Sequence, residues 1–205
     1  MELLGPAGDV EVGGAAARPP RAVALLVVAA ALLVEKGYSG LSFRSVASRA
    51  GVGIGNLQHY FPTRAALIHA LLERTFEASV ATLAGRPASD PDTDILAAIS
   101  HVLEEQGRRE PCVLFWELWA LSAHDPEASA VMTDFYDRYV AHIAGLIRAA
   151  RPEVEAEAAH RAGLLIAALL EGASLFRGHG RPADRIPAGF DDALASLVRD
   201  IASRA

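Results

Sequence analysis

Apolar positions recur at helical spacing along this chain and turn signals lie far apart, a pattern that predicts an all-α fold. A first helix is expected from Arg21 to Lys36, apolar nearly all round and so buried among others, with Gly37 tolerating the left-handed conformation that ends it. Ser42 is a natural N-cap for a short helix over 43–50, in which Phe43, Val46, Ala47 and Ala50 recur on one face. Gly51 stops it, and Val52 and Gly53 turn the chain into a second short helix from Ile54 to Tyr60. There Ile54, Leu57 and the following Phe61 share a side. Pro62 ends that helix and Thr63 caps the next, which runs to about Ala84. Further helices are predicted at 92–107, 111–123, 126–150, 153–177 and 188–204, with Pro111 and Pro126 in first turns and Asp125 as a cap. Residues 1–20, rich in Gly, Ala and Pro without periodicity, read as a disordered arm, and 85–92 and 178–187 as loops.

Composition adds a size and a compartment to this pattern. A chain of 205 residues, 52% hydrophobic, can bury a full core, either as one domain or as a small domain fused to a larger one. Its single cysteine, Cys112, excludes an internal disulfide and suits a cytoplasmic home, and its place in an apolar run suits an inert core thiol better than a redox sensor. The longest apolar run, Ala22 to Val34, has 13 residues, short of the roughly 20 that span a bilayer, so no membrane is expected. Three acids precede it and Glu35-Lys36 follows it, which argues against a secretory signal.

Net charge is −6, yet it is unevenly spread. Residues 18–84 hold seven basic side chains against three acids, while 85–205 hold 12 against 19. A basic front joined to an acidic body implies that only the front meets a polyanion. The two short helices with their Gly51–Gly53 turn have the size of a helix-turn-helix. The side chains of Asn56, Gln58, His59 and Tyr60, on the outer face and its margins, can hydrogen-bond to base edges or phosphates, and Gly55 would let the backbone approach DNA closely. Arg44 and Arg64 sit in helix first turns, where the macrodipole disfavours a cation. Either a phosphate reverses that penalty or both are solvated surface residues.

From Ala30 the chain reads A-x-x-L-V-E-K-G-Y-S-G-L-S-F-R-S-V-A-S-R-A-G-V-G-I-G-N-L-Q-H-Y-F-P-T-R-A-A-L, which resembles the N-terminal pattern of the TetR family of bacterial regulators as far as Leu67. The resemblance implies groove contacts from Gly53, Asn56, Gln58, His59 and Tyr60, and backbone contacts from Arg44, Thr63 and Arg64, with Ser42 at the same helix start. Gln58 stands where the family usually carries a tyrosine, and His-Tyr-Phe at 59–61 is similar to the BetI-type branch. It also implies three parts: the arm at 1–20, a three-helix helix-turn-helix domain at 21–66, and a larger helical ligand-binding and dimerisation domain at 67–205.

Within the larger domain, Trp116-Glu-Leu-Trp-Ala-Leu, His124-Asp-Pro-Glu and Leu170-Glu-Gly-Ala-Ser-Leu-Phe-Arg177 look like BetI-type segments. Phe115, Trp116, Trp119, Phe135, Tyr136, Tyr139 and Phe176 either line a ligand pocket or pack as ordinary core. Glu110, Glu117 and His124 recur every seven residues and read as a solvent stripe. Glu171 is the better candidate for a ligand contact, because Ala167 and Leu164 make its face apolar. A ligand, another partner or a wet dimer arrangement would offset its burial. Leu165 and Leu169, with Phe190, Leu194, Leu197 and Ile201, form stripes that would pair across a two-fold axis as a four-helix interface, or cover the domain's own core.

No cofactor or metal is expected. His101 with Glu105 and Glu157 with His160 lack an identifiable third ligand, and there is no phosphate loop, nucleophile elbow or pair of catalytic carboxylates. The expected function is therefore a non-enzymatic, homodimeric repressor released from a palindromic DNA operator by a small-molecule effector. The alternatives are a constitutive binder or activator, and an all-helical small-molecule carrier or enzyme without a DNA role.

Overall fold

The computed structural model describes residues 19–84, 91–177 and 186–205. The expectations for 1–18, 85–90 and 178–185 lie outside them. The described residues form α-helices and one 3-10 turn, with no strand: α1 (Pro20–Lys36), the turn Tyr38–Gly40, α2 (Phe43–Arg49), α3 (Ile54–Tyr60), α4 (Arg64–Ala84), α5 (Pro91–Gln106), α6 (Arg109–Ser122), α7 (Pro126–Ala150), α8 (Ala156–Arg177) and α9 (Phe190–Ser203).

The chain divides into two compact units, one of residues 1–81 with 113–135 and the other of 82–112 with 136–205. In the first unit Leu25, Leu26, Leu33, Leu41, Leu57, Leu67 and Leu71 are completely buried. α1 is not buried all round as its composition suggests, since Arg21, Ala24, Glu35 and Lys36 remain exposed. Small residues at Ala22, Ala29 and Ala30 let it approach its neighbours closely on the other side. Gly37 has φ +67° with ψ −172°, a positive-φ conformation open to glycine, but an extended one rather than the left-handed helical cap expected at the end of α1.

The second unit is built on α5, α7, α8 and α9. Ile95, Ile99, Leu103, Ile143, Ile147, Ile166, Leu170, Leu194 and Val198 form its core. α7 and α8 cross so closely at Gly163 that a Cβ there would lie 2.9 Å from the Val140 carbonyl oxygen. Asp125 caps α7, accepting from the Glu127 and Ala128 amides at 2.9 and 3.1 Å, with Pro126 in the first turn. Among the described residues α8 alone is long and apolar enough to cross a membrane, and it is a core helix of this unit.

Candidate DNA-binding face and ligand site

The two short helices are held by local chemistry. Ser42 Oγ accepts from the Ser45 amide at 3.1 Å to start α2, and Thr63 Oγ1 accepts from the Ala66 amide at 3.0 Å to start α4. Gly51, at φ +66°, turns α2 into α3. Leu57 and Phe61 pin α3 to the core. Ile54 does not join them and is 41% exposed. A helical Cβ leans toward the N-terminus, so the first residue of α3 leans past its end into solvent.

The opposite face of α3 is open. Gly53, Gly55, Asn56, Gln58 and His59 are exposed, while Tyr60 is half-buried between His59, at 5.2 Å between ring centroids, and Phe61, at 6.4 Å. A Cβ built at Gly53 or Gly55 would touch nothing, so internal packing does not require glycine at either position. Ser42, Arg44 and Thr63 are exposed alongside.

The basic side chains of this unit differ in how free they are. Among the described residues Arg44 has no ion-pair partner. Arg49 is committed to Glu35, donating from its second terminal nitrogen at 2.7 Å, and the bond holds the Glu35 carboxyl below the usual carboxylate range. Arg64 corrects the sequence-based expectation of a free phosphate clamp. Its guanidinium lies 3.6 Å above the Tyr38 ring and donates to the Tyr38 carbonyl at 3.0 Å. Stacking and hydrogen bonding to a residue 26 positions earlier are invisible to helix periodicity.

Glu117 is also not the solvent residue that its seven-residue spacing with Glu110 and His124 suggests. Those two are exposed, but Glu117 is half-buried and its Oε2 accepts from the Tyr38 amide at 2.8 Å. Gly37 lies so close that a Cβ there would sit 3.1 Å from the same carboxylate. A carboxylate from α6 and a guanidinium from α4 thus fix the turn that leads into α2.

The seven proposed ligand residues are divided between the units. In the first, Phe115, Trp116 and Trp119 are half-buried on α6. Phe135 is buried, with Phe115 at 5.4 Å and Phe76 edge-on at 6.1 Å. In the second unit, Tyr139 and Glu171 are withdrawn from solvent but Phe176 is 57% exposed, so in this unit it is a surface ring rather than a pocket wall.

Burial pushes the Glu171 carboxyl up to about 7, partly opposed by a hydrogen bond with Tyr136. Burial, and then the charge of Glu171, raise the Tyr139 hydroxyl far above its ordinary value. Tyr136 is therefore the Glu171 partner that sequence spacing alone does not single out. Cys112 is buried, donates to the Gln106 carbonyl at 3.2 Å, and is pushed up chiefly by burial, which is the chemistry of an inert thiol. Among the described residues no three His, Cys, Asp or Glu are grouped to hold a metal ion.

The interface candidates also separate. Leu165 is 59% and Leu197 46% exposed, and Leu164 and Leu175 extend the exposed apolar surface of α8. Leu169, Phe190 and Ile201 are partly buried against the unit's own core. Leu194 lies within that core with Val198, which at 3.6 residues per turn follows it on the same side, while Leu197 falls on the other flank of the stripe and faces solvent.

Residues 25–71 match the TetR family of bacterial regulatory proteins, and residues 91–199 match the C-terminal domain of BetI-type transcriptional repressors. An HTH-type transcriptional regulator from the dhlA 5′ region of Xanthobacter autotrophicus is 30% identical over 55% of this chain and 58% of its own length. The HTH-type transcriptional repressor LfrR of Mycolicibacterium smegmatis is 30% identical over 68% of this chain and 70% of its own. A transcriptional regulator from Saccharomonospora viridis, solved in complex with choline, shares the fold at 18% identity, with a TM-score of 0.61 over 89% of this chain and 95% of that one. The exposed polar face of α3, its capped scaffold and these matches agree: the chain belongs to the TetR family of transcriptional regulators, with a BetI-type C-terminal domain.

Proposed function

We propose that this regulator is a cytoplasmic homodimeric repressor that reads a palindromic operator with α3 and leaves it when a small molecule binds the C-terminal helices. The observation that carries the reading is the face of α3 itself. Asn56, Gln58 and His59 are exposed and can donate and accept hydrogen bonds, while Leu57 between them is completely buried. Glycine at 53 and 55, which internal packing does not demand, suits a close approach to an external backbone. Arg44 and the hydroxyls of Ser42 and Thr63 flank this face as phosphate contacts, whereas Arg64 acts by holding Tyr38. A regulator's family membership leaves no place for an enzyme or a carrier without a DNA role.

Dimerisation is supported by the exposed leucines at 164, 165, 175 and 197, an apolar surface that a monomer would leave in water. Effector release is supported by the choline complex of the Saccharomonospora viridis relative and by the half-buried Glu171, whose carboxyl is pushed up by desolvation.

Mobility-shift titration against palindromic fragments from the chain's own upstream region tests the reading. Wild type should give one dimer-sized shift, Gln58→Ala with His59→Ala should abolish it without changing the helical spectrum, and Leu165→Glu should yield a monomer that binds far more weakly. Equal binding by all three proteins would overturn it.

A further inference from the structure

Several polar groups withdrawn from solvent in the second unit are electron-rich. Glu171 places a carboxylate among apolar helices, hydrogen-bonded by Tyr136, and among the described residues no basic side chain offsets it. Gln106, only 8% exposed, donates its amide nitrogen at 2.7 Å to the carbonyl of Leu170, the residue before Glu171. Its side-chain oxygen has no hydrogen-bond partner among the described residues. The rings of Tyr136 and Tyr139, 6.4 Å apart and inclined at 54°, stand on α7, and Tyr139 feels the charge of Glu171.

The other titratable groups around this cluster are occupied or uncharged. On α5 Glu105 pairs with Arg108 at 2.8 Å, and on α6 Cys112 is a thiol held protonated by burial. On α8 Arg177 donates to the Leu103 carbonyl at 3.0 Å and pairs with Asp191 of α9. His142, farther along α7, is held toward its neutral form by burial.

We propose that Glu171, Gln106 and the two tyrosines form the polar end of the effector site, and that the effector is a protonated amine carried on an apolar body. The inference rests on the reading of this chain as an effector-responsive regulator. An ammonium group brings the missing positive charge to Glu171, N–H donors for the Gln106 oxygen, and a cation for the tyrosine faces. A quaternary ammonium brings the charge without the donors and leaves the Gln106 oxygen unmet. A neutral alcohol brings one donor without the charge. The amine requires the ionised carboxylate, so its affinity rises about tenfold from pH 6 to pH 8, across the range in which Glu171 titrates.

The test uses the full-length chain and four probes of one shape: benzylamine, benzyltrimethylammonium, benzyl alcohol and benzoate. Binding is read by calorimetry and thermal shift at pH 6 and pH 8, because a ligand of the native state raises the melting temperature by mass action. Benzylamine should bind best of the four, about tenfold more tightly at pH 8 than at pH 6, and Gln106→Leu should narrow its advantage over benzyltrimethylammonium. Glu171→Gln should abolish benzylamine binding while raising thermal stability at pH 8, since a buried charge is removed. Equal shifts from all four probes, a preference for benzyltrimethylammonium, or benzylamine binding unchanged in Glu171→Gln would each overturn the inference. So would a Glu171→Gln variant whose only defect is a weaker dimer, which would assign the carboxylate to the subunit interface. Operator binding without probe, measured on the same samples, separates the two levels: if it is retained while no probe binds, only the amine site fails, and if it is absent, the regulator reading fails.

Discussion

Replacing Glu117 with alanine removes the carboxylate that accepts from the Tyr38 amide and should loosen the entry to α2. The bond is 2.8 Å long, partly buried and made to an ionised acceptor. Hydrogen bonds to charged groups contribute about 1.5–3 kcal/mol net, and the amide left behind has lost its partner, so a loss of about 2 kcal/mol is expected. For a chain of this size that lowers the thermal midpoint by about 4–8 °C. Glu117→Gln keeps an oxygen acceptor in place and should cost about half as much. Glu110 is exposed on the same helix, and Glu110→Ala should stay within about 0.5 kcal/mol of wild type. Scanning calorimetry of the three variants measures the differences directly. Operator affinity should fall in Glu117→Ala beyond what stability alone explains, because Tyr38 also holds Arg64 through its carbonyl and ring. If Glu117→Ala melts with Glu110→Ala, the carboxylate is a solvent residue after all and the clamp has no energetic content.

Stability should depend on pH through Glu171. Its carboxyl titrates at about 7 in the folded chain against an ordinary value of 4.5, so between these the native state holds more proton than the unfolded one. Stability therefore falls as pH rises from about 4.5 to 7 and levels above that, by on the order of 3 kcal/mol, and denaturant titrations of Glu171→Gln should lack this component. Gly163→Ala should be destabilised by about 1–3 kcal/mol in spite of alanine's better helix propensity, because the new methyl meets the Val140 carbonyl. Unchanged chemical denaturation would refute the close crossing of α7 and α8. Arg44→Ala should weaken operator and scrambled DNA alike and reduce the slope of log affinity against log salt by about one per contact, whereas Gln58→Ala should lose discrimination with little change in slope.

The extent of the reading head was legible because its signals are local. Ser42, Gly51 and Thr63 act within three residues of themselves, and the spacing of Leu57 and Phe61 gives the buried side of α3 directly. The same locality explains the misreadings. Heptad spacing places Glu117 with Glu110 and His124 but cannot show that a turn 79 residues earlier meets only Glu117. Ile54 has the right phase to join Leu57, yet the helix starts too late to cover it. Leu194 and Leu197 belong to one stripe in sequence, and only the packing of α9 on α8 divides them into core and surface. Glu171 stood out as an acid on an apolar face, while its partner Tyr136 and the neighbouring Gln106 come from other helices and follow from the fold alone.

The central claim, sequence-specific DNA binding by the exposed face of α3, is tested most directly by fluorescence anisotropy on an upstream palindrome and its scrambled counterpart across a salt series. The account predicts affinity for the palindrome at least about a thousandfold above the scrambled duplex, with half-sites about one helical turn or a multiple of it apart. It also predicts a steep fall in affinity with salt for both duplexes. Equal affinity for the two duplexes at every salt concentration, or no binding to either, would contradict it.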